Sequence, residues 1–264
     1  MGNSKLVDYT LISPNKTIGR NHSIDTITIH CFVGQVTVER GCEVFKPTSK
    51  KASCNYVVAK DGKIGLVVDE KDRSWCTSNS ANDNRAVTIE VASDTTGDLK
   101  VTDAAYNALI KLVADICKRN NIKKLVWSTD KNKRVKHLDG CNMTVHRDYA
   151  NKSCPGEYLY SHHGDIANKV NDILNSSNTT SEKNETAVNN NNKHNNINVA
   201  NSFSPYKVKI TASALNYRKG PGVSYAINGT ITDKGIYTIV DEVSGWGKLK
   251  SGAGWISLKY TKRL

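Results

Sequence analysis

The chain has 264 residues, with basic side chains exceeding acidic ones by twelve and hydrophobic residues making up 38%. That length fits two domains better than one, and no apolar run reaches the length of a membrane span. The seven cysteines (31, 42, 54, 76, 117, 141 and 154) are odd in number and form no CxxC pair, so reduced or metal-bound thiols are expected rather than a disulfide framework.

In chain order, the N-terminus "MGNSKLVDYTLI" has no apolar signal core, which predicts synthesis in the cytosol without a signal peptide. "SIDTITIHCFV" reads as a buried strand ending near His30, and "NYVVAKDGKIGLVVD" as two strands around an Asp61-Gly62 turn. "RAVTIEVAS" alternates, with Val87, Ile89 and Val91 on one face and Thr88 and Glu90 on the other. Thr102 caps a helix whose apolar stripe runs through Tyr106, Leu109, Val113 and Ile116. "KKLVW" predicts another short strand, and Ile166, Val170 and Ile173 a closing helix. Strands mixed with helices make an α/β domain, a sheet covered by helices, over residues 1–174.

Residues 175–204 read as a linker. Eleven of these thirty residues are Asn and the apolar ones are scattered, so the segment cannot bury enough surface to offset the entropy of ordering. Residues 205–264 differ again: short β-rich runs cut by Gly-Pro-Gly, Asp-Lys-Gly and Ser-Gly-Ala-Gly predict a small all-β barrel. This last piece has ten basic and three acidic residues, or +7 of the net charge, so basic character concentrates there. Charge alone does not choose among nucleic acid, an anionic membrane and an anionic polymer.

The loop "TVHRDYANKSCPGEY", residues 144–158, brings His146, Lys152 and Cys154 within nine residues of one another. Imidazole and thiolate are both good zinc ligands, and His30 at a strand end supplies a third donor. Three protein ligands leave a fourth position for water, the open form of a catalytic site. Taken alone, a histidine ending a strand is more often a hydrogen-bonded core residue.

Residues 20–174 resemble the zinc-dependent N-acetylmuramoyl-L-alanine amidases of the phage-lysozyme and peptidoglycan-recognition superfamily. "TITIH", "NYVVAKDGKIG", "AVTIEVAS" and above all "HRDYANKSCPG", with its His-x5-Lys-x-Cys-Pro spacing, carry the resemblance. It implies a mixed sheet with flanking helices, zinc held by His30, His146 and Cys154, and a catalytic group of Tyr56, Glu90 and Lys152. In that group Lys152 would face the oxyanion, Tyr56 would donate to the same oxygen or orient water, and Glu90 would act as general base. Trp75 and Arg85 are candidates for a substrate groove. His22, His137, His162, His163 and His194 have no matching role and are read as structural or surface residues.

The last sixty residues are similar to bacterial Src-homology-3-like domains appended to wall hydrolases. Leu215-Asn216-Tyr217-Arg218, Gly220-Pro221-Gly222, Gly245-Trp246 and Gly254-Trp255-Ile256 carry that likeness. It implies a wall-binding module, with Tyr217, Arg218 and Trp246 as candidate contacts. The expectation is therefore a modular, monomeric peptidoglycan hydrolase of the phage endolysin type. It would cut between N-acetylmuramic acid and L-alanine, bind peptidoglycan and anionic wall polymers rather than nucleic acid, and reach the wall after release from the cell. A bacterial autolysin of the same activity is the runner-up, and a non-catalytic peptidoglycan receptor the rival from another class. Such receptors usually lack the cysteine ligand, so Cys154 argues for catalysis.

Overall fold

The computed structural model describes residues 2–181, 205–223, 225–243 and 245–264. The chain divides into two compact units, Met1–Thr186 and Ala187–Leu264. His194 and most of the Asn-rich segment lie outside the described residues.

Unit 1 contains strands β1 (Tyr9–Thr10), β2 (Lys16–Thr17), β3 (Thr26–Val33), β4 (Tyr56–Val58), β5 (Ile64–Leu66), β6 (Arg73–Ser74), β7 (Ala86–Ser93) and β8 (Met143–Thr144). Its helices are α1 (Val38–Glu43), α2 (Ser80–Arg85), α3 (Asp103–Arg119), α4 (Lys131–Val135) and α5 (Gly156–Ser181). Six strands form one mixed sheet in the order β1-β5-β4-β7-β3-β8, and β2 and β6 pair in a separate ribbon. β3 and β7 are parallel over their whole length, with His30 beside Glu90, while β4 and β5 form the antiparallel hairpin predicted around Asp61-Gly62.

The central strands are buried on both faces, as a parallel pair requires. Ile27, Ile29, Val87, Ile89 and Val91 join α3 and α5 in the main core. Thr26, Thr28, His30 and Thr88 alternate with them, so they face the other side, yet they too are fully buried. Polar residues on an inaccessible face need partners, and this face carries the candidate site.

α3 begins where the sequence predicts. The Thr102 side chain accepts from the Ala105 backbone N–H, and Leu109, Leu112, Val113 and Ile116 supply the buried stripe. "KKLVW" is not a strand. Its backbone bonds go mostly to side-chain amides: Leu125 exchanges two with Asn171 and the Val126 N–H donates to Asn142 Oδ1, while the Val126 carbonyl accepts from the Asn142 N–H. α5 runs to Ser181, through the first seven residues of the predicted linker.

Unit 2 is an all-antiparallel seven-stranded sheet of β9 (Tyr206–Ile210), β10 (Leu215–Arg218), β11 (Ile227–Ile231), β12 (Ile236–Val243), β13 (Trp246–Leu249), β14 (Trp255–Ser257) and β15 (Thr261–Arg263). Its order is β11-β10-β14-β13-β12-β9-β15, around a small core of Val208, Ile210, Leu215, Ile231, Ile239, Leu249 and Ile256. Among the described residues, no helix is long and apolar enough to cross a membrane.

Candidate metal centre and active site

His30 projects from β3 onto the polar face of the sheet and is fully buried. His146 and Cys154 bracket the loop that follows β8, and the donor atoms of the three residues lie within 4.8 Å of one another. His30 Nδ1 stands 3.3 Å from Cys154 Sγ. Two ligands of one tetrahedral zinc are separated by about 3.5 Å, so the spacing suits a shared ion. His30 Nε2 is buried and has no hydrogen-bond partner among the described residues.

Two arginines, the buried Arg134 and the half-buried Arg147, hold this loop, and the sequence reading missed both. Arg134 makes a bidentate pair with Asp148 (2.8 and 2.5 Å), and the Asp148 carboxylate also accepts from the Val145 N–H, next to His146. Arg147 donates to the Ser153 and Cys154 carbonyls and pairs with Glu157 at 2.7 Å. The first arginine fixes the histidine end and the second the cysteine end. Gly156 closes the loop at φ +79°, where an added Cβ would lie 2.8 Å from Leu99 Cβ, so a larger residue is excluded on two grounds.

The protonation states suit ligands. Burial, followed by the charges of His146 and His163, holds His30 well below the ordinary imidazole range. Burial and then the Lys152 cation lower His146 likewise. Both rings are thus held neutral, as metal ligation needs. Cys154 is held as a thiol by its hydrogen bond with Cys31 and by burial. A bound cation would reverse that preference, because a coordinating thiol is deprotonated outright.

Glu90 Oε1 lies 3.9 Å from His30 Nδ1, and its Oε2 is buried with no partner. Burial pushes its carboxyl up to about 8, with Cys31 contributing in the same direction. Cys76 Sγ stands 3.9 Å from the same Oε1, and His30, Cys76 and Glu90 form a second, overlapping group of metal donors. Cys76 was not anticipated. It is held there by Asp83, whose buried carboxylate accepts from the backbone of Cys76 and Thr77 and from the Thr77 hydroxyl. The same turn presents Ser78, at φ +60°, with its Oγ 3.4 Å from His146 Nε2. No pattern in the sequence marks either residue, because both depend on how a nonrepetitive turn is tied down.

Lys152 is exposed on the loop and close enough to bias His146. Tyr56 does not join this group. It sits opposite Ile89 in the sheet, one position out of phase with Glu90, and so points to the α3 side. There its hydroxyl donates to Glu70 Oε1 at 2.5 Å and accepts from the Ser4 N–H, away from the metal donors. Arg85 also stands apart from the metal donors. It precedes β7, five residues and about 16 Å of extended chain from Glu90, and is spent on a bidentate pair with Asp25. Trp75 donates its ring N–H to Thr17 beside the β2–β6 ribbon. In unit 2, Arg218 donates to the Val223 and Tyr225 carbonyls, Tyr217 packs on the small core, and Trp246 is half-buried.

Residues 20–157 match the family model described as N-acetylmuramoyl-L-alanine amidase. The chain belongs to this family. The match spans β3, the β4–β5 hairpin, β7 and the whole loop from His146 to Cys154, and it ends before unit 2. Members of the family commonly use zinc, and peptidoglycan amide hydrolysis is the activity that membership supports. No curated protein sequence matches the chain. Among solved structures, the catalytic domain of XlyA is 16% identical, with 62% of this chain and 99% of that chain covered and a TM-score of 0.46. The endolysine N-acetylmuramoyl-L-alanine amidase LysCS from Clostridium intestinale URNW is 17% identical, covering 62% of this chain and 97% of its own, at a TM-score of 0.45. PlyL is 15% identical over 61% of this chain and 95% of its own, at 0.46.

Proposed function

We propose that the protein is a zinc-dependent peptidoglycan amidase of the phage endolysin type, which hydrolyses the amide joining N-acetylmuramic acid to L-alanine. The observation that carries this reading is the meeting of two neutral imidazoles and a thiol beside a buried carboxyl with an unpartnered oxygen. His30, His146 and Cys154 would hold the ion, a donor set of the borderline-soft kind that zinc prefers. Zinc, when bound, supplies a Lewis acid for the scissile carbonyl and makes hydroxide accessible near neutral pH.

The chain's own residues do the rest. Glu90, lifted to about 8 by burial, is matched to proton transfer near neutrality: it takes the proton of the attacking water and returns it to the departing amine. Lys152, exposed beside His146, brings a cation to the developing oxyanion. With Tyr56 turned to the other face, Lys152 carries that role without it. Asp83, Arg134 and Arg147 orient the groups that touch the ion or the substrate.

Unit 2 in this reading is a Src-homology-3-like wall-binding module. A second binding unit on the same chain raises the effective concentration of catalyst at an insoluble target. Mass spectrometry of purified peptidoglycan after digestion tests the reaction. Free stem peptides with an N-terminal L-alanine support it, and new reducing sugar ends identify a glycosidase instead.

A further inference from the structure

β9 is paired on one side with β12 and on the other with β15, and its residues alternate between the small core and solvent. Val208 and Ile210 point inward, and Lys207 and Lys209 point out. The register sets Lys262 of β15 directly opposite Lys209, so two ammonium groups occupy neighbouring positions on one face. Like charges directly opposite in an antiparallel pair destabilise it. Among the described residues, neither lysine nor Lys207 makes an ion pair, a side-chain hydrogen bond or a ring contact. Of the three acids in this unit, Asp233 accepts from the Tyr237 hydroxyl, Glu242 accepts from that of Tyr206, and Asp241 stands opposite Lys248 of β13.

A repulsive, unpaired lysine cluster on a sheet this small lowers stability unless something else neutralises it. We propose that the outer face of β9 and β15, built on Lys207, Lys209 and Lys262, is the docking surface for a linear phosphodiester polymer of the cell wall. The choice of polymer rests on the peptidoglycan reading above. The surface itself is separate from Tyr217 and Arg218, whose side chains are engaged within unit 2. Lysine binds phosphate as a point charge and demands no fixed orientation, which suits a flexible chain of repeating phosphates. Directly across from Lys209 and Lys207 on β12 stand Ile236 and Thr238, neither of them an aromatic on which a base would stack. Single-stranded nucleic acid is therefore the poorer fit.

The test uses the full chain and a Lys207→Gln, Lys209→Gln, Lys262→Gln variant. Binding to lipid-free poly(glycerol phosphate) is measured across a salt series, with duplex DNA of equal charge and walls stripped of phosphate polymers as parallel probes. Each lysine lost from a flexible polyanion should reduce the slope of log affinity against log salt by about 0.7, or about two for the triple variant. The variant should melt no lower than the wild type, since it loses repulsion and no partner. Release of peptide from soluble muropeptides should be equal in both proteins, so a failed amidase assignment and a failed docking assignment give different results. An unchanged salt slope, equal binding to stripped walls, or tighter binding to DNA than to poly(glycerol phosphate) would each overturn the proposal.

Discussion

Glu70 is a buried carboxylate of unit 1 and Glu90 a half-buried one, and they have opposite fates. Glu70 is only 1% exposed and fully engaged: it accepts from Tyr56, from two nitrogens of Arg119 and from Asn120. Glu90, on the other side of the central sheet, has one oxygen with no partner and another in only long contacts. Burial without compensation drives Glu90 up to about 8. A satisfied buried charge ties Ser4, β4 and the end of α3 together. An unsatisfied one costs stability, and in the function proposed above it persists because the site uses it. On that proposal, one face of the sheet serves stability and the other chemistry.

The largest effect should come from the satisfied side. Glu70→Ala takes the shared acceptor from Tyr56, Arg119 and Asn120 at once, while Arg119 keeps its pair with Asp115; at about 1.5–3 kcal/mol per hydrogen bond to a charged group, the loss should be about 3 kcal/mol. Denaturant unfolding should show that loss, while protein that remains folded keeps its metal and its rate. Glu90→Gln should do the reverse. Turnover should fall about a hundredfold, equivalent to about 2.7 kcal/mol of barrier, with zinc content and melting temperature held or raised. A wild-type rate in that variant would remove Glu90 from the mechanism. Tyr56→Phe should lower stability by about 1–2 kcal/mol and leave the reaction rate alone. A rate loss with retained stability would return Tyr56 to the active site.

The smallest effect is a pH slope. His163 is fully buried, and burial holds it at about 4, below the ordinary 6.5, with its Nδ1 on the Leu159 carbonyl and its Nε2 unpartnered. The unfolded chain therefore takes up this proton first as pH falls. The stability tied to the neutral ring is whole above about 6.5 and is lost progressively toward 4, at no more than about 1.4 kcal/mol per pH unit. Urea midpoints measured between pH 7 and 5 should fall less steeply in His163→Gln than in the wild type. Parallel slopes would show that His163 does not titrate on unfolding.

Much of this was legible in the sequence, for reasons that can be named. α3 announces itself through a capping Thr102 and a 3.6-residue stripe, and the β4–β5 hairpin through Asp61-Gly62. The three metal donors sit in short segments whose spacing is fixed by a strand end and one loop. The side-chain direction of Tyr56 was not legible, because resemblance fixes a residue's place along a strand but not its phase. A shift of one position in a period of two sends the side chain to the other face. Thr26, Thr28 and Thr88 alternate with apolar residues like a solvent-facing row, and only the helices and turns above them show that the row is buried. Arg134, Asp83 and Cys76 were illegible because their roles depend on contacts between segments far apart in the chain.

The central claim is that His30, His146 and Cys154 hold one zinc on which amide hydrolysis depends. Elemental analysis and muropeptide hydrolysis measured on the same preparations of wild type and Cys154→Ser test it most directly. The account predicts about one zinc per wild-type chain, activity abolished by chelation and restored by zinc, and loss of metal and rate together in the variant. Full activity in a preparation free of metal would contradict it.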